Sequence, residues 1–486
     1  MIPTIPINIY VMLLIFMLPY SYLCYFLVYG AIKYKVKKTD QLKGHPVVTV
    51  QLPIYNEKLV FPRLLKSVCE LNWPMPALEI LILDDSSDDT SELIDSEINA
   101  YCSRGFNIKV VRRKERMGFK AGAMQNALGY SHGEYIAIFD ADCIPPPDFL
   151  IRTIPYLEEN PRLGFVQARL GHVNRNFNKI SETIAIALDC HYFVEKTGRY
   201  SISLATNFDG SAGVIRKRAI YDLGGWNHET LTEDMDLSYK MRINGWESLY
   251  LRDVVVESEV PITLSDFKSQ QARWASGCVQ TARRLLRRIW LSKNFSFLQK
   301  IESTLHLTNF FVFPAILLSF VSLVVIVFMG YDPQRIFYSV LGLTSSVGAL
   351  GVSIMYFSTV KFQKIRLRDK IPYLGFLGAI GIGLSAHYTI SILKSLFMKK
   401  NKFVPTPKYN LNNNDRPSAL KVRNYKRSWP YVELALVIIS IIGMFSAMIN
   451  HNYIAITSLF VYFICFSLIT YYTINDSVSF KGHYFE

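Results

Sequence analysis

The sequence predicts an α/β domain, a mostly parallel sheet with helices on both faces, inserted between transmembrane helices. Three observations predict it. Apolar residues make up 50% of the 486-residue chain, and they crowd its two ends. A middle region of roughly 240 residues has the composition of a soluble domain with room for one large core. Within that region β-rich runs alternate with helical periodicity, the pattern of a parallel sheet covered on both faces.

The first element is "INIYVMLLIFMLPYSYLCYFLVYGAI", residues 7–32. It carries no charge and has the length of a helix that crosses a hydrocarbon core of roughly 30 Å. A cleaved signal peptide fits less well, because the run is too long, no basic region precedes it and no small-residue cleavage site follows. Apolar segments near residues 305–330, 336–360, 371–397, 431–449 and 453–474 are each long enough to cross or enter a bilayer.

The net charge of +14 raises nucleic-acid binding as a function, but the positions of the charges argue against it. Lys33, Lys35, Lys37, Lys38 and Lys43 follow the first span. Arg283, Arg284, Arg287 and Arg288 follow the globular region, and Lys361, Lys364, Arg366, Arg368 and Lys370 follow the third apolar segment. Basic residues beside spans mark the cytoplasmic side. "GYDPQR" and "INHNY" carry almost no charge and are expected outside. The N-terminus is then outside and the globular domain inside. Segment 371–397 lies between two basic loops, so it reads as a re-entrant or in-plane segment, with a sixth crossing as the alternative.

The chain divides accordingly into a transmembrane helix (1–34), a cytosolic domain (45–265), interfacial amphipathic helices (266–300), a transmembrane hairpin with the re-entrant segment (301–398), a basic cytosolic loop (399–430) and a second hairpin (431–474). The seven cysteines show no metal-binding spacing, as suits buried thiols in a reduced compartment.

In the globular region, "PVVTVQLPIYNE" (46–57), "LEILILDDSSDDT" (78–90), "FNIKVVRR" (106–113) and "EYIAIFDADC" (134–143) read as strands, three of which run into polar clusters. "FPRLLKSVCEL" and "KAGAMQNALGYS" between them have helical spacing. Ligands of such sheets bind beyond the carboxyl ends of the strands, so Tyr55 to Glu57, Asp84 to Ser86 and Asp140 to Asp142 are expected along one edge. In an extended D-x-D both side chains project to the same side and repel unless a hard cation sits between them. An acidic turn is the plainer reading of that pair.

"QLPIYNE", "LDDSSDD", "RMGFKAGAMQNAL", "IFDADCIPPPDFLIRTIPYL", "VQARLGHVN", "FDGSAGVIR", "LTEDMDLSYKMRINGW" and "QQARW" occur in that order. Together they resemble family 2 glycosyltransferases, in particular the membrane-bound cellulose-synthase-like branch and its mannan and glucomannan synthases. The likeness is dense over residues 48–280 and looser over the membrane segments. It implies a glycosyltransferase A-type, nucleotide-sugar-binding domain, in the cell membrane or, for a eukaryote, the Golgi. Tyr55 and Glu57, with Asp84 or Asp85, are implied to border the nucleoside, with Lys120 and Gly122 beside them. Asp140 and Asp142 are implied to hold Mg²⁺ or Mn²⁺ on the diphosphate.

Asp234 is implied as the general base for the acceptor hydroxyl, with Glu233 beside it. Thr232 also reads as the cap of a helix whose first turn is acidic, and Glu233 and Asp236 suit that helix end. Gln270, Arg273 and Trp274 form QxxRW, which the resemblance associates with processive synthesis. Arg273 offers a fork of donors to phosphate and Trp274 a flat face to a sugar. The same stretch also reads as an amphipathic helix at a membrane surface. "FVPTPK" (403–408) is similar to the gating loop of cellulose synthases through Phe403, Thr406 and Lys408, although Pro405 stands where valine is expected.

The expected function is processive, inverting transfer of mannose or glucose from GDP-mannose or UDP-glucose to a β-linked glycan that the membrane helices pass outward. The expected partners are the nucleotide sugar, the glycan acceptor and the lipid bilayer, with no nucleic acid. Addition of one sugar to a lipid is the rival enzyme, and a non-catalytic glycan-binding subunit is the rival of another class. Only about a dozen residues follow the last apolar segment, and no cysteine-rich module precedes the first. Neither a cyclic-dinucleotide sensor nor a zinc module is therefore expected.

Overall fold

The computed structural model describes residues 5–39, 44–331, 340–397, 405–411 and 430–479. Seven strands, β1 (Val48–Ile54), β2 (Leu78–Asp84), β3 (Asn107–Arg112), β4 (Tyr135–Ile138), β5 (Leu163–His172), β6 (Gly213–Arg216) and β7 (Glu247–Ser258), form one sheet in the order β3-β2-β1-β4-β6-β5-β7. β1 to β4 are parallel neighbours, and Ile54, Asp84 and Arg112 stand side by side at their carboxyl ends. β6 runs antiparallel to both β4 and β5, while β5 and β7 are parallel. The four strands read from the sequence are the parallel half. β6 is four residues long and shows no alternation to read.

Alternate residues of each strand enter different cores. Ile80 and Ile82 pack with Phe61, Leu64 and Phe149 on one face, while Leu81 and Leu83 pack with Met124, Leu237 and Met241 on the other. Helices Phe61–Cys69 and Phe149–Glu159 therefore cover the first face, and Phe119–Ala127 and Glu233–Ile243 the second. Burial on both faces explains the unbroken apolar run Ile80 to Leu83 in β2.

Helices Ile5–Ile32, Asn309–Phe328, Tyr431–Ile449 and Tyr453–Asp476 are long and apolar enough to cross a bilayer. Helix Val340–Phe362 lies along the first of them, where Gly348 and Gly351 admit Ser21 and Tyr25 and the Tyr22 hydroxyl donates to the Thr344 carbonyl at 3.1 Å. Leu367–Gly383 and Ser385–Phe397 meet at a bend of 43°. That break falls within the segment expected to be re-entrant. Between sheet and membrane helices runs the 28-residue helix Leu264–Leu291, started by Thr263, whose side chain accepts from the Asp266 amide. Its Val279, Leu285 and Ile289 are buried while Arg283, Arg284, Arg287 and Arg288 are exposed, the amphipathic pattern expected of it.

The first membrane helix docks on the globular domain by direct backbone contact. A Cβ at Gly198 would lie 2.3 Å from the Leu27 carbonyl oxygen, and one at Gly30 would lie 2.5 Å from the Gly198 oxygen. Gly198→Ala should therefore push the helix off the domain and cost about 1–3 kcal/mol as an overpacked contact. The thermal midpoint of the detergent-solubilised protein should fall by several degrees. Gly129→Ala, where a Cβ meets nothing within 4 Å, should leave the midpoint unchanged.

Candidate active site

The loops after β1 and β2 are tied to each other. Asn56, at φ 56°, receives the Ser87 amide on its side-chain oxygen at 2.8 Å, and its own amide donates to Ser86 Oγ at 3.0 Å. This places Tyr55, Glu57 and Asp85 on one wall of a cavity of about 710 Å³. The Arg116 guanidinium lies over the Tyr55 ring, 3.2 Å from its centre. Asp85 is gripped by Arg113, with one contact at 2.9 Å from Nε to Oδ1.

Sequence left Asp84 and Asp85 as alternatives, and the structure separates them. Asp84 turns away from the cavity and accepts from Arg112 Nε at 2.8 Å, Ser91 Oγ at 2.7 Å and the Ser86 amide at 3.0 Å. Burial works against its charge, but these donors outweigh it and hold the carboxyl below its ordinary range. Gly122 is also absent from the cavity wall. A Cβ there would lie 2.1 Å from the Met117 carbonyl oxygen, so its role is to let the helix start pack on the preceding loop.

The D-x-D segment is not extended, contrary to the sequence reading. β4 stops at Ile138, and the Cys143 amide closes a turn on the Asp140 carbonyl at 2.9 Å. The two carboxylates consequently meet different surroundings. Asp140 is 42% exposed and takes Lys120 Nζ on Oδ1 at 2.6 Å. Asp142 is buried, and its Oδ2 accepts from Ser258 Oγ at 2.6 Å, the Glu259 amide at 2.8 Å and Lys408 Nζ at 2.7 Å. Each carboxylate keeps one oxygen without a partner among the described residues. Two such hard oxygen donors suit a divalent cation. Glu57 stands close by. Burial pushes its carboxyl up to about 8; Lys408 opposes the rise, and the charges of Asp142, Asp140 and Glu259 add to it.

Lys408 comes from the loop read as gating-like. Its neighbours Tyr409 and Leu411 donate their amides to Glu259 at 2.9 and 3.1 Å, and Arg63 secures Glu259 at 2.7 Å. Thr406 joins Lys408 on the cavity wall, whereas Phe403 lies outside the described residues.

Asp234 and Glu233 begin the helix Glu233–Ile243 and both line the cavity. Thr232 makes no capping bond with its side chain, contrary to expectation, and meets Thr281 Oγ1 at 3.3 Å instead. Asp234 Oδ1 accepts from the Met235 amide at 2.7 Å. Beside Asp234 lies Gly210, at φ 77°, where a Cβ would stand 3.2 Å from Asp234 Oδ2 and 3.3 Å from Lys120 Nζ. Burial chiefly, then the charge of Glu233, pushes the Asp234 carboxyl up to about 7. Asp236 faces inward to Lys240 at 2.5 Å and serves the helix. Gln270, Arg273 and Trp274 complete this end of the cavity, and Gln270 Oε1 is buried without a hydrogen-bond partner.

The cavity continues past these residues. Its walls include Tyr20 and Cys24 of the first helix, His306, Phe310 and Phe313 near the second, and Tyr356 and Tyr388 beyond. Phe313 and Tyr388 are stacked at 4.0 Å.

A sequence model described as "Glycosyl transferase family 2" matches residues 49–224, and one described as "Cellulose synthase" matches residues 218–478. The second spans more than half of the chain. The chain belongs to the cellulose synthase family. Glucomannan 4-beta-mannosyltransferase 2 of Arabidopsis thaliana is 40% identical over 260 residues, 53% of this chain and 49% of the relative. "Probable glucomannan 4-beta-mannosyltransferase 3" of Oryza sativa subsp. japonica is 34% identical over 417 residues, 84% of this chain and 74% of the relative. The chain spans about half the length of the curated relatives it matches first. Among solved structures, the mannosyltransferase PcManGT from Pyrobaculum calidifontis, in complex with GDP-Man and Mn2+, superposes with a TM-score of 0.53 at 21% identity, covering 80% of this chain and all of that one. This likeness supports the glycosyltransferase A-type fold and the family's mostly parallel sheet.

Several residues that build this cellulose synthase family site were missed from sequence. Arg116, Asn207, Asp209, Ser258 and Glu259 all line the cavity. Arg116 and Asp209 sit inside quoted motifs, so the motifs themselves were the available signal. Glu259 follows β7 with no pattern around it.

A carboxyl raised in the folded state destabilises the fold above its unfolded pKa, and the effect is complete above its folded pKa. For Asp234 that window runs from about 4 to about 7. Asp234→Asn should match the wild type in thermal midpoint near pH 4, and exceed it by an amount that grows to pH 7 and then levels off. A pH series of thermal melts on the solubilised protein checks this.

Proposed function

We propose that the chain is a membrane-embedded, inverting, processive hexosyltransferase that extends a β-linked polysaccharide from a nucleotide sugar. One observation carries this reading. A single cavity joins Asp140, Asp142 and Asp234 to an aromatic lining contributed by apolar helices. The names of the plant relatives favour mannose as the transferred sugar and GDP-mannose over UDP-glucose as donor. The basic residues flanking the apolar segments support a cytosolic donor site.

In this mechanism Tyr55, Asp85 and Arg116 border the nucleoside. Asp140 and Asp142 would hold Mg²⁺ or Mn²⁺. When bound, such a cation neutralises the diphosphate and eases its departure. Lys408 and Arg273 add positive charge around the leaving group. Asp234 Oδ2 takes the proton of the acceptor hydroxyl as that oxygen bonds to the anomeric carbon and the nucleoside diphosphate leaves from the opposite side, inverting the configuration. A carboxyl with a pKa of about 7 is a better base than an ordinary aspartate and is about half ionised at neutral pH. Trp274, Phe313 and Tyr388 offer flat faces along which neutral sugar rings slide, so the product leaves through the membrane helices.

Purified protein in nanodiscs, given GDP-mannose or UDP-glucose with Mn²⁺ or Mg²⁺, should make long glycan from one donor. Chelation should stop it and added cation should restore it. Turnover should rise about tenfold per pH unit below 7 and level off above, as a base of that pKa requires. Asp234→Asn should lose about 10²–10⁴-fold in turnover while retaining nucleotide binding. A product consisting of one sugar on a lipid would overturn processivity.

A further inference from the structure

Residues 283–301, "RRLLRRIWLSKNFSFLQKI", contain six basic residues and no acid. They cover the end of the helix Leu264–Leu291 and the start of the next helix, Phe297–Leu307, which Ser296 begins through a capping box with Gln299. Leu285, Ile289, Phe295 and Leu307 pack inward with Tyr239. The opposite faces stay open. Leu291, Phe297 and Leu298 are 72%, 66% and 72% exposed, and Trp290 and Ile301 are exposed beside them. The Trp290 ring meets that of Phe297 edge-on at 6.2 Å, and its Nε1 donates to Thr304 Oγ1 at 3.1 Å, so the two helices present one apolar surface. A contiguous exposed patch of large apolar side chains marks a place that another molecule covers.

The charges around that surface are only partly matched. Arg284 faces Glu229 and, at 3.6 Å, Asp236, and Arg283 Nη1 donates to the Leu396 carbonyl at 3.2 Å. Arg287, Arg288, Lys293 and Lys300 have no ion-pair partner among the described residues. Helical spacing puts Arg287 beside Trp290 and Leu291, and Arg288 beside Leu291, so the cations interleave with the apolar side chains. Membrane elements bracket the patch. Thr308 alone separates Phe297–Leu307 from the span Asn309–Phe328, and Leu396 lies at the end of Ser385–Phe397, where Phe397 is exposed.

We propose that this surface is a binding site for anionic phospholipids of the leaflet facing the globular domain, with Arg287, Arg288, Lys293 and Lys300 on the headgroup phosphates. Trp290, Leu291, Phe297 and Leu298 enter the headgroup and acyl boundary, where an aromatic ring and branched apolar side chains are at home. The basic side chains lay their stems on the apolar surface and keep their charged ends at the phosphates. A zwitterionic headgroup would match the apolar residues but leave four cations at the surface uncompensated. A net negative headgroup matches both, which is why the site selects lipid by charge. A soluble acidic protein would have to displace the bilayer that the neighbouring span brings to the patch. Because the same helix carries Gln270, Arg273 and Trp274 on the cavity wall, the lipid holds the far end of an element of that wall. The site does not depend on which reaction the cavity performs.

The test reads tryptophan fluorescence of the full chain in phosphatidylcholine nanodiscs containing rising fractions of brominated phosphatidylglycerol or brominated phosphatidylcholine. Bromine quenches a ring only at close range, and Trp290→Phe supplies the background of the remaining tryptophans. The Trp290 signal should fall to half at a mole fraction at least about fivefold lower for phosphatidylglycerol, the factor that one cation beside an anionic surface supplies. Replacing Arg287, Arg288, Lys293 and Lys300 together by Gln should make the two lipids equal while quenching by phosphatidylcholine persists, which also reports that the variant is folded. Raising salt from about 0.05 to about 0.5 M should equalise them in the wild type without any substitution. Equal quenching by both lipids in the wild type at low salt would overturn the headgroup site. Quenching by neither would place the patch away from the bilayer, under a protein partner, and would overturn it too. A preference that survives both the four substitutions and high salt would remove these cations from the site.

Discussion

Two lysines make the site tolerable. Glu57, Asp140, Asp142, Glu233, Asp234 and Glu259 all border one cavity, and so many carboxylates in a partly dry space repel one another. Lys120 meets Asp140 at 2.6 Å and lies beside Asp234 across Gly210, while Lys408 meets Asp142 at 2.7 Å. Burial works against the charge on Lys120, yet the neighbouring acids hold its pKa above the ordinary value. Burial chiefly, with the charges of neighbouring acids adding to it, pushes Glu57 up to about 8 and Asp234 up to about 7.

That arrangement depends on the parallel half of the sheet. Because β1, β2 and β4 point the same way, Tyr55, Asp85 and Asp140 leave the sheet at one edge. The antiparallel β6 reverses that logic and delivers its preceding segment, Asn207 to Gly210, to the same edge from the opposite direction. A sheet of one polarity throughout would carry the segment before a strand to the other edge. The single reversed strand therefore brings Asn207 and Asp209 to the cavity that Asp140 and Asp142 border.

The helix Leu264–Leu291 joins this edge to the membrane helices. Gln270, Arg273 and Trp274 lie on its cavity side, and its middle packs with Ser385–Phe397, where Ser395 donates to the Ser276 carbonyl at 3.1 Å. One helix thus carries QxxRW on the cavity wall and turns Arg283, Arg284, Arg287 and Arg288 outward. Glu259 provides a second joint, since it holds the backbone of the Lys408 loop at a strand end already bonded to Asp142.

The sequence by itself determined the membrane runs, the alternation that makes β1 to β4, and the convergence of their polar ends. These follow from local periodicity and from chain direction, which neighbouring residues set. It also determined that Asp234 opens a helix and that Asp140 and Asp142 belong to one site. Tertiary structure alone decided that Asp85 and not Asp84 reaches the cavity, because Arg112 and Ser91 claim Asp84. It decided that the D-x-D segment turns and divides its two acids between different partners. It also placed Lys408 on Asp142, 266 positions away along the chain. Which partner a polar side chain finds depends on what packing brings within about 3 Å of it, and no local pattern in the chain encodes that distance.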